Sequence, residues 1–555
     1  MPAVPAGSNV ISIAHINDVH SHYSPFNKLG NACTDEDRAA GHCFGGAARL
    51  ATVFQALKKR NPNNTYSMVA GDEFQGTDYY SRTKGNISAE VMNYMDYDLM
   101  TTGNHEFDDG PVHLAKFFNK LHFPKVCANA NFSGVPELDR QVKPYHIFER
   151  HNLAVIGYIT NTTGYISNAG PLISFSNPAP AVQRVIDELH AKGIKRIIAL
   201  SHNGYNEDKE VAALTQGLSL IVGGHSHTYL SPDPDESGSG GLYPTVVKGT
   251  DGLPTYVVQA KAWGEYIGIL DLIFNDEGRI ANLTGVPIHL TQDIPEERRM
   301  AQMVADWRVE LDKVSKKLVG RATADFDQES CQARECTAGD LVADSMLYYH
   351  RTNPNVRAAI INAGGVRAGI QQGNILMENV DTVLPFSNFI MDIELTGRAI
   401  RQMFEDVLAK KNQQSGKTIA TFIQVSGLIV EYDPSREAYN RVVSLKIRKA
   451  GPISATAVHP AAQDAYEPVQ PDTTYTLVTL DYIINGGDGI FAAPPKAAVG
   501  HGTPAEAMVA YLQDAKVMRS PAATGAAAST GGAGMGRRVG GGGGRAGGAA
   551  LISFR

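Results

Sequence analysis

At 555 residues, with 43% apolar and 19% charged side chains, the chain can build two or three domains with cores of their own, at a composition ordinary for a globular enzyme. Its formal charge of −7 leaves out the basic footprint that non-specific nucleic-acid binding needs, so no nucleic-acid polymer is expected as a partner. No run of about 18 apolar residues occurs, so no transmembrane helix is predicted, and the start MPAVPAGSNVISIAHIND lacks the basic and apolar regions of a signal peptide.

The first predicted element, NVISIAHIND, reads as a short buried strand that runs out at Asp18 and His20. Cys33 and Cys43 follow in polar, loop-like sequence, and then a helical stretch, GGAARLATVFQALKKR. Two further strands come next: TYSMVAGDE ends at Asp72, and YDLMTTGNHE ends at Asn104 with His105 beside it. Cys127, after FPKV, suits a buried core thiol. NLAVIGYIT is another strand. PAPAVQRVIDELHAKG is a helix with Val182, Val185, Ile186 and Leu189 on one face and Gly193 as its stop. KRIIALSHNG ends at His202, and LSLIVGGHSH ends at His225 and His227. Strands alternating with helices predict a layered α/β domain over residues 1–293.

PEERRMAQMVADWRVELDKVSKKL carries Met300, Met303, Val304, Trp307, Leu311, Val314 and Leu318 at helical spacing. It predicts a linker helix over 294–318, opened by Pro295 and closed by Gly320. A second domain is expected over 319–519, with strands in VRAAIINAGG, FIMDIELTG, ATFIQVSGLIVEYD and TYTLVTLDYIING. The Gly/Ala-rich stretch 520–555 has little to bury and is expected to be disordered. Cys331 and Cys336 form a second close pair in polar sequence, and short-range pairs in loops suit disulfides and an oxidising compartment. Sequons at Asn63, Asn86, Asn131, Asn161 and Asn282 permit secretion.

The strand endings carry the chemistry. A lone His or Asp after a strand is usually a hydrogen-bonded turn residue. Here, however, strand after strand in the first domain ends in Asp, His or Asn. In an open α/β sheet, ligands bind beyond the carboxyl ends of the strands, so these side chains should converge. Oxygen and imidazole donors without thiolate suit zinc, manganese or similar ions. Asp72 is placed to bridge two of them. Two ions about 3.5–4 Å apart can activate water, polarise a phosphoryl oxygen and stabilise an in-line displacement. Asn104 ligates without adding charge that would repel phosphate. His105 is left to reach the phosphoryl oxygen or leaving group, with Asp108 to hold its other nitrogen.

HINDVHSH, AGDEFQGT, GNHEFDDG, ALSHNG and GGHSHT resemble the metallophosphoesterase signature series, in order. SCQARECTAGDLVADSM, INAGGVRAGI, VLPFSN and INGGDGIF resemble the second domain of the 5'-nucleotidase family, close to the animal ecto-5'-nucleotidases and the related apyrases. The likeness covers about residues 9–518. It implies a four-layer αββα metallophosphoesterase domain, a linker helix and an α/β C-terminal substrate domain. It also implies hydrolysis of nucleoside 5'-monophosphates, with an apyrase or UDP-sugar hydrolase as the alternative. The cofactor would be two divalent ions, zinc foremost, with manganese or another metal as alternatives. One would be held by Asp18, His20, Asp72 and His227, the other by Asp72, Asn104, His202 and His225, with His105 and Asp108 as the catalytic dyad. In the second domain Phe386 and Tyr482 would stack on the base, Asp488 would bind ribose, Asn362 the nucleoside and Arg367 phosphate. Gln332 stands where close relatives carry a phosphate-binding Arg, which leaves Arg334 as the substitute cation. The resemblance further implies a homodimer through the second domain and an extracellular or cell-surface location. The final GGAALISFR is too short for a lipid-anchor tail of about 10–20 residues.

Overall fold

The computed structural model describes residues 9–455, 465–518 and 552–554. Contacts divide the chain into two units at Ser315/Lys316. In the first unit, the strands Ile11–Ile16, Thr65–Val69, Leu99–Thr101, Lys125–Val126 and Val142–Lys143 run parallel. Tyr266–Phe274 and Ile280–His289 extend the sheet antiparallel to seven strands. A six-stranded sheet is centred on the parallel strands Leu153–Ile159, Arg196–His202, Leu220–Val222 and Pro254–Val258.

The strands read as unbroken apolar runs because both of their faces are covered. Ile13, Met68 and Leu99 of the first sheet share a core with Val155, Ile198 and Ile221 of the second. On the other face, Ala14, Ile16, Val69 and Met100 pack with Leu50, Phe54, Met92 and Phe117 of the helices Ala47–Arg60, Asn86–Met95 and Pro111–Phe118. The helices Pro178–Ala191 and Tyr205–Leu214 cover the second sheet, giving the αββα layering.

The helix expected to link two domains runs Arg298–Ser315 and packs on the first unit, where Met300 and Leu311 are buried. Its ends differ from those expected. The Glu297 carboxylate accepts from the N–H groups of Arg299 and Met300, so Glu297 rather than Pro295 caps it. Gly320 lies inside the strand Leu318–Ala322, paired with Ile375. Arg308 donates twice at 2.9 Å to Asp78, which is 4% exposed and also accepts from Ser315. Arg308→Ala should leave that carboxylate buried without its cation, a loss of about 3 kcal/mol that lowers the thermal midpoint by roughly 5 °C. A midpoint unchanged in scanning calorimetry would show the pair to be idle.

The second unit holds a five-stranded sheet, in order Ile423–Ser426, Val356–Asn362, Thr474–Leu480, Ile390–Thr396 and Lys496–Gly500. The helices Thr337–Tyr349, Gly397–Ala409 and Pro504–Ala515 pack about one core with it. The run ATFIQVSGLIVEYD, expected as one strand, splits at Gly427. That residue's φ of +79° turns Leu428–Tyr432 away into a four-stranded sheet. Of the tail expected to be disordered, 520–551 lies outside the described residues, while Ile552–Phe554 pairs antiparallel with Val430–Tyr432. Both disulfides, Cys33–Cys43 and Cys331–Cys336, are formed. Cys127 is a free buried thiol, pushed up to about 11 by burial. Among the described residues no helix is long and apolar enough to cross a membrane.

Candidate active site

Parallel strands place their carboxyl ends along one edge, and there the first unit gathers its polar side chains. Asp18 follows Ile11–Ile16, Asp72 follows Thr65–Val69, Asn104 follows Leu99–Thr101, His202 ends Arg196–His202, and His225 follows Leu220–Val222. The turns are tight. Asp18, His20, Asp72, His225 and His227 all have positive φ, between 47° and 76°. That conformation is costly for non-glycine residues, and backbone strain of this kind clusters at functional sites. Glycine lets the segments touch: a Cβ on Gly103 would sit 2.2 Å from Asp72 Oδ1, and one on Gly224 would sit 3.0 Å from Asp18 Oδ2.

Two sets of donors result. His227 Nε2 lies 3.2 Å from both Asp18 Oδ1 and His20 Nε2. His202 Nε2 lies 3.1 Å from both Asp72 Oδ2 and Asn104 Oδ1. His225 joins Asp72 and His202 in the second set, and Asp72 Oδ2 stands 3.8 Å from His20 Nε2, between the two. The tautomers follow from the backbone. His20 Nδ1 donates to Phe74 O at 2.8 Å and His202 Nδ1 to Ala70 O at 2.6 Å, so in the neutral ring each Nε2 turns a lone pair toward other acceptors. Asp18 Oδ1 is buried with no hydrogen-bond partner.

Acceptors that face acceptors are held together by a cation, and the spacing agrees. Tetrahedral bonds of about 2.0–2.2 Å put neighbouring donor atoms about 3.3 Å apart. The charges agree too. Burial works against ionised groups here, yet His227 and His202 hold Asp18 down at about 2, and Asp72 sits well below the usual carboxylate range beside His202. Burial also opposes charge on His202, but Asp72 and Asp18 overcome it and push that ring up to about 10. Burial, with His202 adding to it, pulls His225 down to about 3. The bare cradle therefore takes up positive charge.

Beside it stands His105. Its Nδ1 is 2.7 Å from Asp108 Oδ2 and its Nε2 is 4.0 Å from Asp72 Oδ2. Asp108 Oδ2 also accepts from Gln75 at 2.9 Å. Burial raises the Asp108 carboxyl, against the pull of His105.

Two of the supporting residues, Glu106 and Asn17, lie within the quoted motifs but carry no role that the sequence singles out. Glu106 accepts from the N–H groups of Asp72 at 3.0 Å, Glu73 at 2.8 Å, Phe74 at 3.3 Å and Gly103 at 2.6 Å, tying the Asp72 and Asn104 loops together. Asn17 donates to Asp18 Oδ2 at 2.8 Å and accepts from Ala260 N–H at 2.9 Å. Gln259, outside every motif, spans the loop of His225 and His227 by donating to Gly224 O and accepting from Thr228 N–H. A lone Gln gives no sequence signal for this; the Glu in GNHE could have been questioned for its company.

In the second unit Asp488 accepts from Asn362 at 2.7 Å and from the Tyr482 hydroxyl at 2.9 Å. The Tyr482 ring lies against Gly487, where a Cβ would come within 2.5 Å of it. The Arg367 guanidinium sits 5.8 Å from the Phe386 ring centroid. Arg334 is exposed on the disulfide loop, and its carbonyl accepts from Gln424. Gln332 instead accepts from Phe422 N–H at 3.4 Å, near Gly364.

Comparison with known proteins agrees with both halves. Residues 11–229 match the family described as calcineurin-like phosphoesterase, and residues 315–494 match the 5'-nucleotidase C-terminal domain. The 5'-nucleotidase of Rattus norvegicus is 33% identical over 497 residues, 86% of this chain and 83% of that protein. The snake venom 5'-nucleotidase of Gloydius brevicauda is 33% identical over 507 residues, 88% of this chain and 83% of that one. The crystal structure of a 5'-nucleotidase precursor from Thermus thermophilus superposes with a TM-score of 0.81 at 32% identity, covering 92% of this chain and 97% of that one.

Proposed function

The chain belongs to the 5'-nucleotidase family and is a phosphoester hydrolase, and on that premise we propose that it converts nucleoside 5'-monophosphates of the AMP type to nucleoside and inorganic phosphate. One observation carries this: donors from far-apart segments meet at a single strand edge, with the His105–Asp108 pair beside them. Asp18, His20, Asp72 and His227 would hold one divalent ion, and Asp72, Asn104, His202 and His225 the other. When bound, these ions, zinc foremost, supply Lewis-acid charge toward phosphoryl oxygen and a water nucleophile near neutral pH. His105, its Nδ1–H held on Asp108, presents Nε2 to the phosphoryl or leaving-group oxygen. Phe386 and Tyr482 stack on the base, Asp488 receives the ribose hydroxyls, Asn362 orients the nucleoside, and Arg367 and Arg334 hold phosphate. Such stacking stabilises a base by about 1–3 kcal/mol per face and is indifferent to which base it is. The two disulfides fit an extracellular or cell-surface setting.

A second reading rests on Gln332. With an amide where a cation is expected, the balance of charge along the phosphates changes, and an apyrase or UDP-sugar hydrolase becomes the alternative. Phosphate release from AMP, ADP, ATP and UDP-glucose separates them. The first reading expects kcat/KM for AMP to exceed the others by roughly tenfold or more. AMP turned over no faster than ADP would give the site to the second.

A further inference from the structure

Another convergence of imidazole and carboxylate lies wholly in the second unit, apart from the residues assigned above. His350 follows the helix Thr337–Tyr349, Asp392 lies in the strand Ile390–Thr396, and His501 follows the strand Lys496–Gly500. Asp392 Oδ1 is 3.3 Å from His350 Nε2 and 3.1 Å from His501 Nε2. The two rings meet edge to face with centroids 4.3 Å apart. His350 and Asp392 are buried, and His501 is 32% exposed at its side chain.

The distances are those of hydrogen bonds, but none is formed: His350 Nε2, Asp392 Oδ1 and His501 Nε2 are all buried atoms without a hydrogen-bond partner. An Asp–His ion pair would aim an N–H at the carboxylate. Here neither ring does. Asp18 Oδ1 and His227 Nε2 show the same signature in the cradle of the first unit, 3.2 Å apart with the carboxylate oxygen orphaned. His350 Nδ1 donates to Met346 O at 2.9 Å, which leaves Nε2 as a lone-pair donor in the orientation that backbone-anchored metal ligands adopt. The backbone N–H of His501 donates to Ile390 O at 2.8 Å, which seats its ring against the strand that carries Asp392.

We infer that His350, Asp392 and His501 form a zinc(II) site that ties the end of one helix to two neighbouring strands. The separations of 3.1 and 3.3 Å match the spacing of about 3.3 Å that tetrahedral zinc imposes on its ligand atoms. Two imidazoles with one carboxylate favour zinc over magnesium or calcium, which take oxygen donors. The ion is structural: it offsets the Asp392 charge and fixes Lys496–Gly500, one of the two edge strands of the five-stranded sheet.

The test compares full-length wild type with His501→Gln, both stripped by chelator, reloaded with zinc and dialysed. Elemental analysis should find about one zinc ion per chain fewer in the variant, with kcat for AMP kept within about twofold. An anomalous difference map at the zinc edge should show a wild-type peak bonded to these three atoms. Equal zinc content in the two proteins overturns the site, and a peak seen only in crystals soaked at millimolar zinc counts against it equally. Should His501→Gln fail to fold, Asp392→Asn takes its place with the same expectations. Because the comparison is of zinc content at a separate site, it stands whichever nucleotide the enzyme prefers.

Discussion

His105→Ala will turn AMP over between about a hundredfold and ten-thousandfold more slowly than wild type, the range for loss of a general acid or of a positioned transition-state donor, and will keep its metal. The partners of the two rings separate His105 from the ligands. His20, 3.8 Å from Asp72 Oδ2, is tied into a donor set by His227 at 3.2 Å, whereas His105 Nε2 stands 4.0 Å from Asp72 Oδ2 and its Nδ1 is held by Asp108, a carboxylate outside both sets. The Nδ1 contact with Asp108 at 2.7 Å, itself steadied by Gln75, fixes the ring's orientation and tautomer. Elemental analysis and kcat should therefore part company in the variant. The choice of leaving group sharpens the result. If His105 protonates the departing oxygen, the defect shrinks on p-nitrophenyl phosphate, whose leaving group needs no proton. If His105 serves the phosphoryl oxygen, the defect persists. Unchanged turnover removes His105 from the mechanism, and loss of an ion would make it a ligand.

Most of the first unit was legible because sheets covered on both faces leave long apolar runs, and because those runs end in unlike, chemically loaded residues. What escaped was the non-local support. Glu106 is one letter of GNHE, yet it organises the cradle by accepting four backbone N–H groups, a role that only the folded loops define. The left-handed backbone at Asp18, His20 and Asp72 is likewise invisible in sequence, since Asp and His are not glycine. Helix ends went astray where side-chain capping outvoted the Pro and Gly signals: Glu297 displaced Pro295, and Gly320 was absorbed into a strand. In the second unit Asn362, Tyr482 and Asp488 meet as one hydrogen-bonded group, while Arg334 remains exposed. His350 and His501 are far apart in the chain and follow different elements, so no spacing rule could have paired them with Asp392.

Asp72→Asn should cost more than any other single change in the cradle, because one carboxylate serves both donor sets. Asp72 Oδ2 is 3.1 Å from His202 and 3.8 Å from His20, while Oδ1 accepts the His105 N–H at 2.9 Å. The amide keeps the shape and one oxygen but removes the negative charge, and its NH2 group must face either the cradle or the His105 backbone N–H that Oδ1 accepts. The backbone should not suffer: Asn tolerates the φ of 58° at least as well as Asp, and the N–H bond to Glu106 is retained. The variant should thus fold with an unchanged circular dichroism spectrum, retain at most about one of the two cradle ions, and lose roughly a thousandfold or more in kcat. Excess zinc should not restore the rate, since the negative charge that both donor sets share is lost from both at once. His227→Asn makes the natural control: that ring is 30% exposed at the rim and faces only the Asp18 set, so its loss should weaken one ion and be answered by added zinc. Asp72→Asn protein that kept both ions and ran at the wild-type rate would show that the two sets do not share a carboxylate, and the two-ion reading of this cradle would fall with it.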